Sequence, residues 1–208
     1  MKRGECRRVL AVCGRAERGG YKLKEFSMFE FALQAAKGSQ LEDLGNLAIV
    51  SRKNFDERPT FRFRTQVPCL EYVSLLIENA LLLRTNREGR VYAGFEKLSR
   101  MEYVADRFLR ISDVSERVFI FGVPDWKPPR HPNLGIVQLK PDTKLSREWF
   151  VIAHSQKFSA ALVAVDEDGF DTPVLDERNF RSFKSTDPVI VAQLADAAED
   201  LIDQTANA

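Results

Sequence analysis

Residues 117–166 decide the fold: RVFIFGV (Arg117–Val123), the loop PDWKPPRHPN, GIVQLK (Gly135–Lys140), the loop PDTKLS, EWFVIAH (Glu148–His154) and SAALVAVD (Ser159–Asp166). Four apolar segments separated by short, breaker-rich loops read as consecutive strands of one sheet. Parallel pairing calls for long crossovers, so the expectation is mainly antiparallel. The first and last segments are apolar at nearly every position and are expected in the middle of that sheet, covered on both faces.

Working outward, the sequence supplies the helices that would do the covering. Ser27 with Glu30 forms an S-x-x-E capping box before a helix at Met28–Lys37, which Gly38 ends. Leu47–Ser51 (LAIVS) reads as a short strand. Thr60–Gln66 alternates, with Phe61 and Phe63 facing inward and Arg62 and Arg64 on a solvated side. Pro68 opens a helix at Cys69–Arg84 with a stripe of Val73, Leu76, Ala80 and Leu83, broadened by Tyr72, Leu75, Leu81 and Leu82. So wide an apolar surface suits either a helix sandwiched in the core or one half buried against a partner. Arg90–Phe95 is a strand, and Ser99–Arg110 an amphipathic helix with Met101, Val104 and Phe108 inward and Arg100, Arg107 and Arg110 outward. At the end, Asp187 caps a helix that starts at Pro188 and runs to about Gln204, its apolar side including Val191, Leu194, Ala198 and Leu201. The whole reads as α/β of the α+β type: a central sheet of about five to seven strands covered by helices, with a leader at 1–24, one domain at 25–204 and a tail at 205–208.

Composition excludes more than it selects. The chain has 208 residues, 44% hydrophobic and 29% charged, which suits one sizeable globular domain. Net charge is +1, but residues 1–24 alone carry +6, so the remainder carries −5. Residues 1–20 have no aromatic side chain and no nucleic-acid motif, and they read as a basic flexible leader rather than a phosphate-binding arm. Three cysteines (Cys6, Cys13, Cys69) cannot all pair within the chain, which points to a reducing cytoplasm. Cys69 lies in a first helical turn, where a thiol can be activated, although a lone helical cysteine is more often packing. The apolar run at the N-terminus is too short for a signal peptide, and Tyr72–Leu83 is too short to span a membrane. No P-loop, dinucleotide fingerprint, G-x-S-x-G, HExxH or CxxC occurs, so no catalytic motif is legible and the reading is non-enzymatic. An enzyme with a site assembled in space is the weakest of three hypotheses.

Three motifs in the opening stretch carry a resemblance: FG-x-PDW at Phe121–Trp126, L-x-x-EWF at Leu145–Phe150 and AALVA at Ala160–Ala164. With Arg178 and Phe180 ahead of Thr186-Asp187-Pro188, the chain from about residue 26 to 203 resembles the DICT sensory domain. That family accompanies diguanylate cyclase, histidine kinase or DNA-binding modules in cyanobacterial, actinobacterial and haloarchaeal signalling proteins. Where the family usually has glycine and aromatic residues, this chain has Arg181-Ser182-Phe183-Lys184-Ser185. The resemblance implies a cytoplasmic signal-input domain, light or redox control as its setting, and a signalling partner or homodimer as its output. The residues themselves show no nucleic-acid module and no run long enough to span a membrane, so no direct contact with either is expected.

The residues allow a matching picture. Trp126 and Trp149 each flank a strand and either close the core or clamp a planar ligand. Asp125, Arg130 and His131 lie in the Pro-rich crossover, where recognition residues concentrate unless the prolines only stiffen the connection. His131 and His154 have no neighbouring ligand spacing, so no metal site is expected, and the acidic run Asp166–Asp168 before Gly169 reads as a solvated turn rather than a calcium loop. Arg178 either pairs with Asp176 or Asp187 or holds a ligand anion. The leading hypothesis is a pocket between sheet and helix, bounded by Trp126, Trp149 and Arg178, for an organic chromophore or nucleotide-like ligand. Its rival is a protein-interaction module without a small ligand, using Tyr72, Leu75 and Leu82, or Leu194 and Leu201.

Overall fold

The computed structural model describes residues 24–84, 87–169, 172 and 174–206. The basic leader, with Cys6 and Cys13, falls outside them apart from Lys24. The described residues build one eight-stranded sheet: β1 (Glu42–Asn46), β2 (Thr60–Gln66), β3 (Arg90–Lys97), β4 (Arg117–Val123), β5 (Leu134–Gln138), β6 (Glu148–His154), β7 (Ser159–Asp166) and β8 (Asn179–Ser185). Their order is β1-β2-β8-β7-β6-β3-β4-β5. The α+β class holds, with a mixed sheet: the central run from β2 to β3 is antiparallel, and the pairs β1–β2, β3–β4 and β4–β5 are parallel.

The four segments of 117–166 are therefore not consecutive neighbours. Only β6 and β7 form a tight hairpin; β3 and β4 stand between β6 and β5. The Pro-rich crossover is the reason. Its ten residues, 124–133, can reach about 33 Å when extended, against about 23 Å for a seven-residue strand. The chain can thus retrace β4 without a helix and enter β5 in parallel. The next connection carries Leu139 and Leu145 across a face of the sheet, where both are buried. As expected, β7 runs through the middle, whereas β4 lies beside the edge strand.

Among the described residues, five α-helices cover the sheet. On one face lie α2 (Arg52–Glu57), α3 (Val67–Leu82) and α4 (Ala105–Val114), packed on Phe61, Val91, Ile120, Val151 and Leu162. On the other lie α1 (Met28–Ala35) and α5 (Pro188–Ala206), packed on Tyr92, Phe121, Phe150, Ile152 and Val163. Neighbouring residues in one strand face different layers, as Val151 and Ile152 do, which is why these strands are apolar throughout. Phe61 and Phe63 point inward and Arg62 and Arg64 outward, as the alternation predicts.

Three local expectations change. LAIVS is not a strand: β1 ends at Asn46, Val50 drops into the core, and Ser51 caps α2 by accepting from Asn54 N. The strand beside it is an edge with little burial, so it needs no apolar run. Helix 99–110 is instead a 3-10 helix (Leu98–Val104) followed by α4, with Met101 and Phe108 buried. The stripe that α3 buries is Leu70, Val73, Ile77 and Leu81, together with Ser74 and Glu78, while Leu83 is 83% exposed. Those two polar residues have partners under the sheet (Trp149 Nε1 donates to Ser74 Oγ, and Arg107 pairs with Glu78), so a polar position could lie on the buried side.

α1 is fixed by a long-range version of its expected cap. Ser27 Oγ accepts from Glu30 N at 3.0 Å, but Glu30 itself reaches toward Lys144. The buried carboxylate is Glu148 of β6, which accepts from Ser27 Oγ, from Met28 N at 2.8 Å and from Phe29 N at 3.3 Å. Burial pushes the Glu148 carboxyl up to about 8, against the pull of those three donors toward the charged form. A folded pKa above the unfolded value near 4.5 means that the native state keeps a proton the unfolded chain has lost, so this carboxyl's contribution to stability is lost as pH rises between the two values. Glu148→Gln, whose amide can both accept from α1 and donate to Ser27, should remove that dependence. Urea unfolding from pH 5 to pH 8 should show the wild type losing up to about 1.4 kcal/mol per pH unit relative to the variant; parallel curves would refute the assignment.

Candidate functional site

A cavity of about 370 Å³ opens between α3 and the sheet, and volumes of roughly 300–1,000 Å³ suit small organic ligands. Its floor is Trp149 and Val151 of β6 with Phe95 of β3; its roof is Ser74, Leu75 and Glu78 of α3; Tyr103 and Leu175 stand at its rim. The Trp149 ring is held in place: its indole nitrogen donates to Ser74 Oγ at 3.1 Å, and it packs edge-on against Phe180 with centroids 6.4 Å apart. Tyr103, 94% exposed, and Leu175, 56% exposed, are apolar groups that the fold leaves at the mouth.

At one end, Arg178 forms a buried ion cluster. It sits between the last 3-10 turn (Leu175–Glu177) and β8, 1% exposed, and donates to Glu96 Oε1 at 2.7 Å and to Asp166. Its guanidinium also lies 5.0 Å over the Phe180 ring. Neither expected partner, Asp176 or Asp187, is used: Asp187 caps α5 through Val189 N and Ile190 N. Glu96 reaches Arg178 because its backbone is left-handed, φ 57°, where the register of β3 with β4 shifts. Arg100, expected on the outside, also pairs with Glu96 and lines the cavity; burial and then the nearby Arg178 charge push it down to about 10.

Of the residues singled out from sequence, the cavity brings together Trp149, Arg178 and Leu75. Trp126 is half-buried on the α3–α4 side of the core and is not among the lining residues. The crossover residues lie apart. Asp125 caps the 3-10 helix by accepting from Ser99 N and Oγ, at 2.8 and 2.6 Å. His131 accepts from Asn133 N and lies 3.1 Å from Asp113, and exposed Arg130 borders a shallow depression with Pro128 and Leu134. Tyr72 and Leu82 are exposed and half-buried on α3, while Leu194 and Leu201 are fully buried under the sheet and cannot meet a partner. Cys69 is buried. Arg62 and Arg64 are met by Asp43 and Glu167, His154 by Ser159, and Asp168 accepts from Asn179. Sequence reading missed Glu96, Phe95 and Glu71 as site residues and considered Asp176 only as a partner for Arg178; in the case of Glu96, nothing local marks a bulge that turns a glutamate inward. Among the described residues, no group of three or more His, Cys, Asp or Glu could hold a metal ion, and no helix is long and apolar enough to cross a membrane.

Removing Arg178 would leave two buried carboxylates facing each other. Arg178→Met should cost about 3–5 kcal/mol in chemical denaturation, and adding Asp166→Asn should restore part of it. Additive effects would show that the pair is not coupled.

No curated protein matches the chain. Among solved structures, polyphosphate kinase from Porphyromonas gingivalis is similar at 19% identity with a TM-score of 0.42, over 68% of this chain and 23% of the kinase; likeness that low carries no argument. A family model does match, that of the sensory domain in diguanylate cyclases and two-component systems, over residues 69–167, from α3 to the end of the β6–β7 hairpin. Residues 69–167, which supply the roof and the floor of the cavity, match the model of the DICT family of sensory domains.

Proposed function

We propose that residues 25–204 act as a signal-input domain that takes a small organic ligand into the cavity under α3. Occupancy would shift α3 and the turn Leu175–Glu177 against the sheet, and a signalling protein or a second copy of the chain would read the change. The observation that carries this reading is the cavity itself, whose floor and most of whose roof fall within the sensory-domain match, with a fixed tryptophan as floor and a buried ion cluster at one end. α3 suits this role because one side is buried, whereas Tyr72 and Leu75 remain 39% and 38% exposed, so a change in its seating alters an outer surface.

A second reading rests on a different surface. A groove of about 810 Å³ runs between α2, the end of α3, the β6–β7 turn and the start of α5, with Leu83 and Phe158 in its wall. It favours a protein-interaction role that needs no ligand.

Two measurements separate these readings. Protein purified from a bacterial host is examined by absorbance and intact mass for a carried ligand, then by thermal unfolding with a flavin, an adenine nucleotide, a tetrapyrrole, a fatty acid and an arylalkylamine. A binder at a hundred times its Kd should stabilise by about 2.7 kcal/mol, and Trp149→Ala should abolish the effect. A colourless protein of unmodified mass that no compound stabilises, and whose partner binding is lost in Leu83→Glu, would transfer the case to the groove.

A further inference from the structure

The charges around the cavity do not balance, and the imbalance points to a class of ligand. The two guanidiniums that line it, Arg100 and Arg178, are both engaged by the buried carboxylates Glu96 and Asp166. Glu78, also in the wall, is met by Arg107. Two further lining carboxylates, Glu71 on α3 and Asp176 in the Leu175–Glu177 turn, make no ion pair among the described residues. They are near enough to repel: burial first, and then Asp176, raise the Glu71 carboxyl above its ordinary value. The rest of the lining is apolar and rich in rings, with Trp149, Phe95 and Tyr103.

We propose that the cavity takes an organic cation, with its apolar or aromatic body against Trp149, Phe95 and Leu75 and a protonated amine or quaternary ammonium between Glu71 and Asp176. The proposal rests on the reading of the cavity as a ligand site and adds the ligand's charge. A phosphate or carboxylate would find the guanidiniums occupied and two carboxylates opposing it, whereas a cation relieves the repulsion between Glu71 and Asp176. Aromatic faces beside carboxylates add attraction for an ammonium group. The indole of Trp149 is held by Ser74 and Phe180 before any ligand arrives, so little ordering cost remains.

The test uses three molecules of one shape and different charge: phenylbutylamine, phenylbutanol and phenylbutyrate. Each is titrated into the full chain while the Trp149 indole N–H and Leu75 methyl signals are followed by NMR. The amine should bind at least about tenfold more tightly than the other two, with the gap narrowing as salt rises. The preference should fall to about twofold or less in the Glu71→Gln, Asp176→Asn double variant; both sites are exposed, so the fold should be unaffected. If the alcohol or the acid binds as well as the amine, or the preference survives in the double variant, the cation assignment is overturned while the cavity reading stands. If none of the three moves either signal, both fall.

Discussion

Arg178 carries a full charge with 1% of its side-chain surface in water, and that burial is tolerable only because two carboxylates meet it. One of them, Glu96, comes from an irregularity at the end of β3, and the other, Asp166, from the last residue of β7. The cluster thus ties together two strands that are not neighbours and the start of β8. Glu96 alone among the described non-glycine residues has a positive φ, a conformation that costs about 1–3 kcal/mol. Its ion pair with Arg178 is what holds that backbone in place. The Leu175–Glu177 turn, immediately before Arg178, forms part of the cavity rim as a result.

The two faces of the sheet have different roles. On the α1–α5 side, Glu148 locks α1 to β6, and α5 buries Leu194, Ala198 and Leu201, so the layer is closed. On the α3–α4 side, contact is looser around Trp149. α3 leans on Leu70, Val73, Ile77 and Leu81 and is tied to β6 by the Ser74–Trp149 hydrogen bond, and the cavity lies beside Ser74, Leu75 and Glu78. The layer behind the sheet is closed, and the one in front leaves a cavity.

Much of the frame is legible in local pattern. The alternation in 60–66, the cap at Ser27, the Pro188 helix start and the two-sided apolar strand 159–166 each depend on near neighbours, and each appears as expected. Pairing is harder to read. The rule that parallel strands need a long crossover favours antiparallel β4 and β5, yet the ten-residue proline loop between them is long enough to serve, and they pair in parallel. The site is legible in part. Trp149 and Arg178 stand out as large residues beside strands, whereas Asp125, equally conspicuous, caps a helix.

The amino-acid sequence by itself determines most of the element types, the two-faced character of the sheet and motifs that resemble a sensory family, because period, caps and short motifs are local. Strand order, the partners of Arg178 and Glu148, and the existence of a cavity were decided only by the tertiary structure. Each depends on groups distant in sequence, Glu96 with Arg178 and Ser27 with Glu148, whose meeting no local period encodes. The cavity is more distant still from the sequence: it is the space that α3 and the sheet leave unfilled between them, a property of no residue in particular.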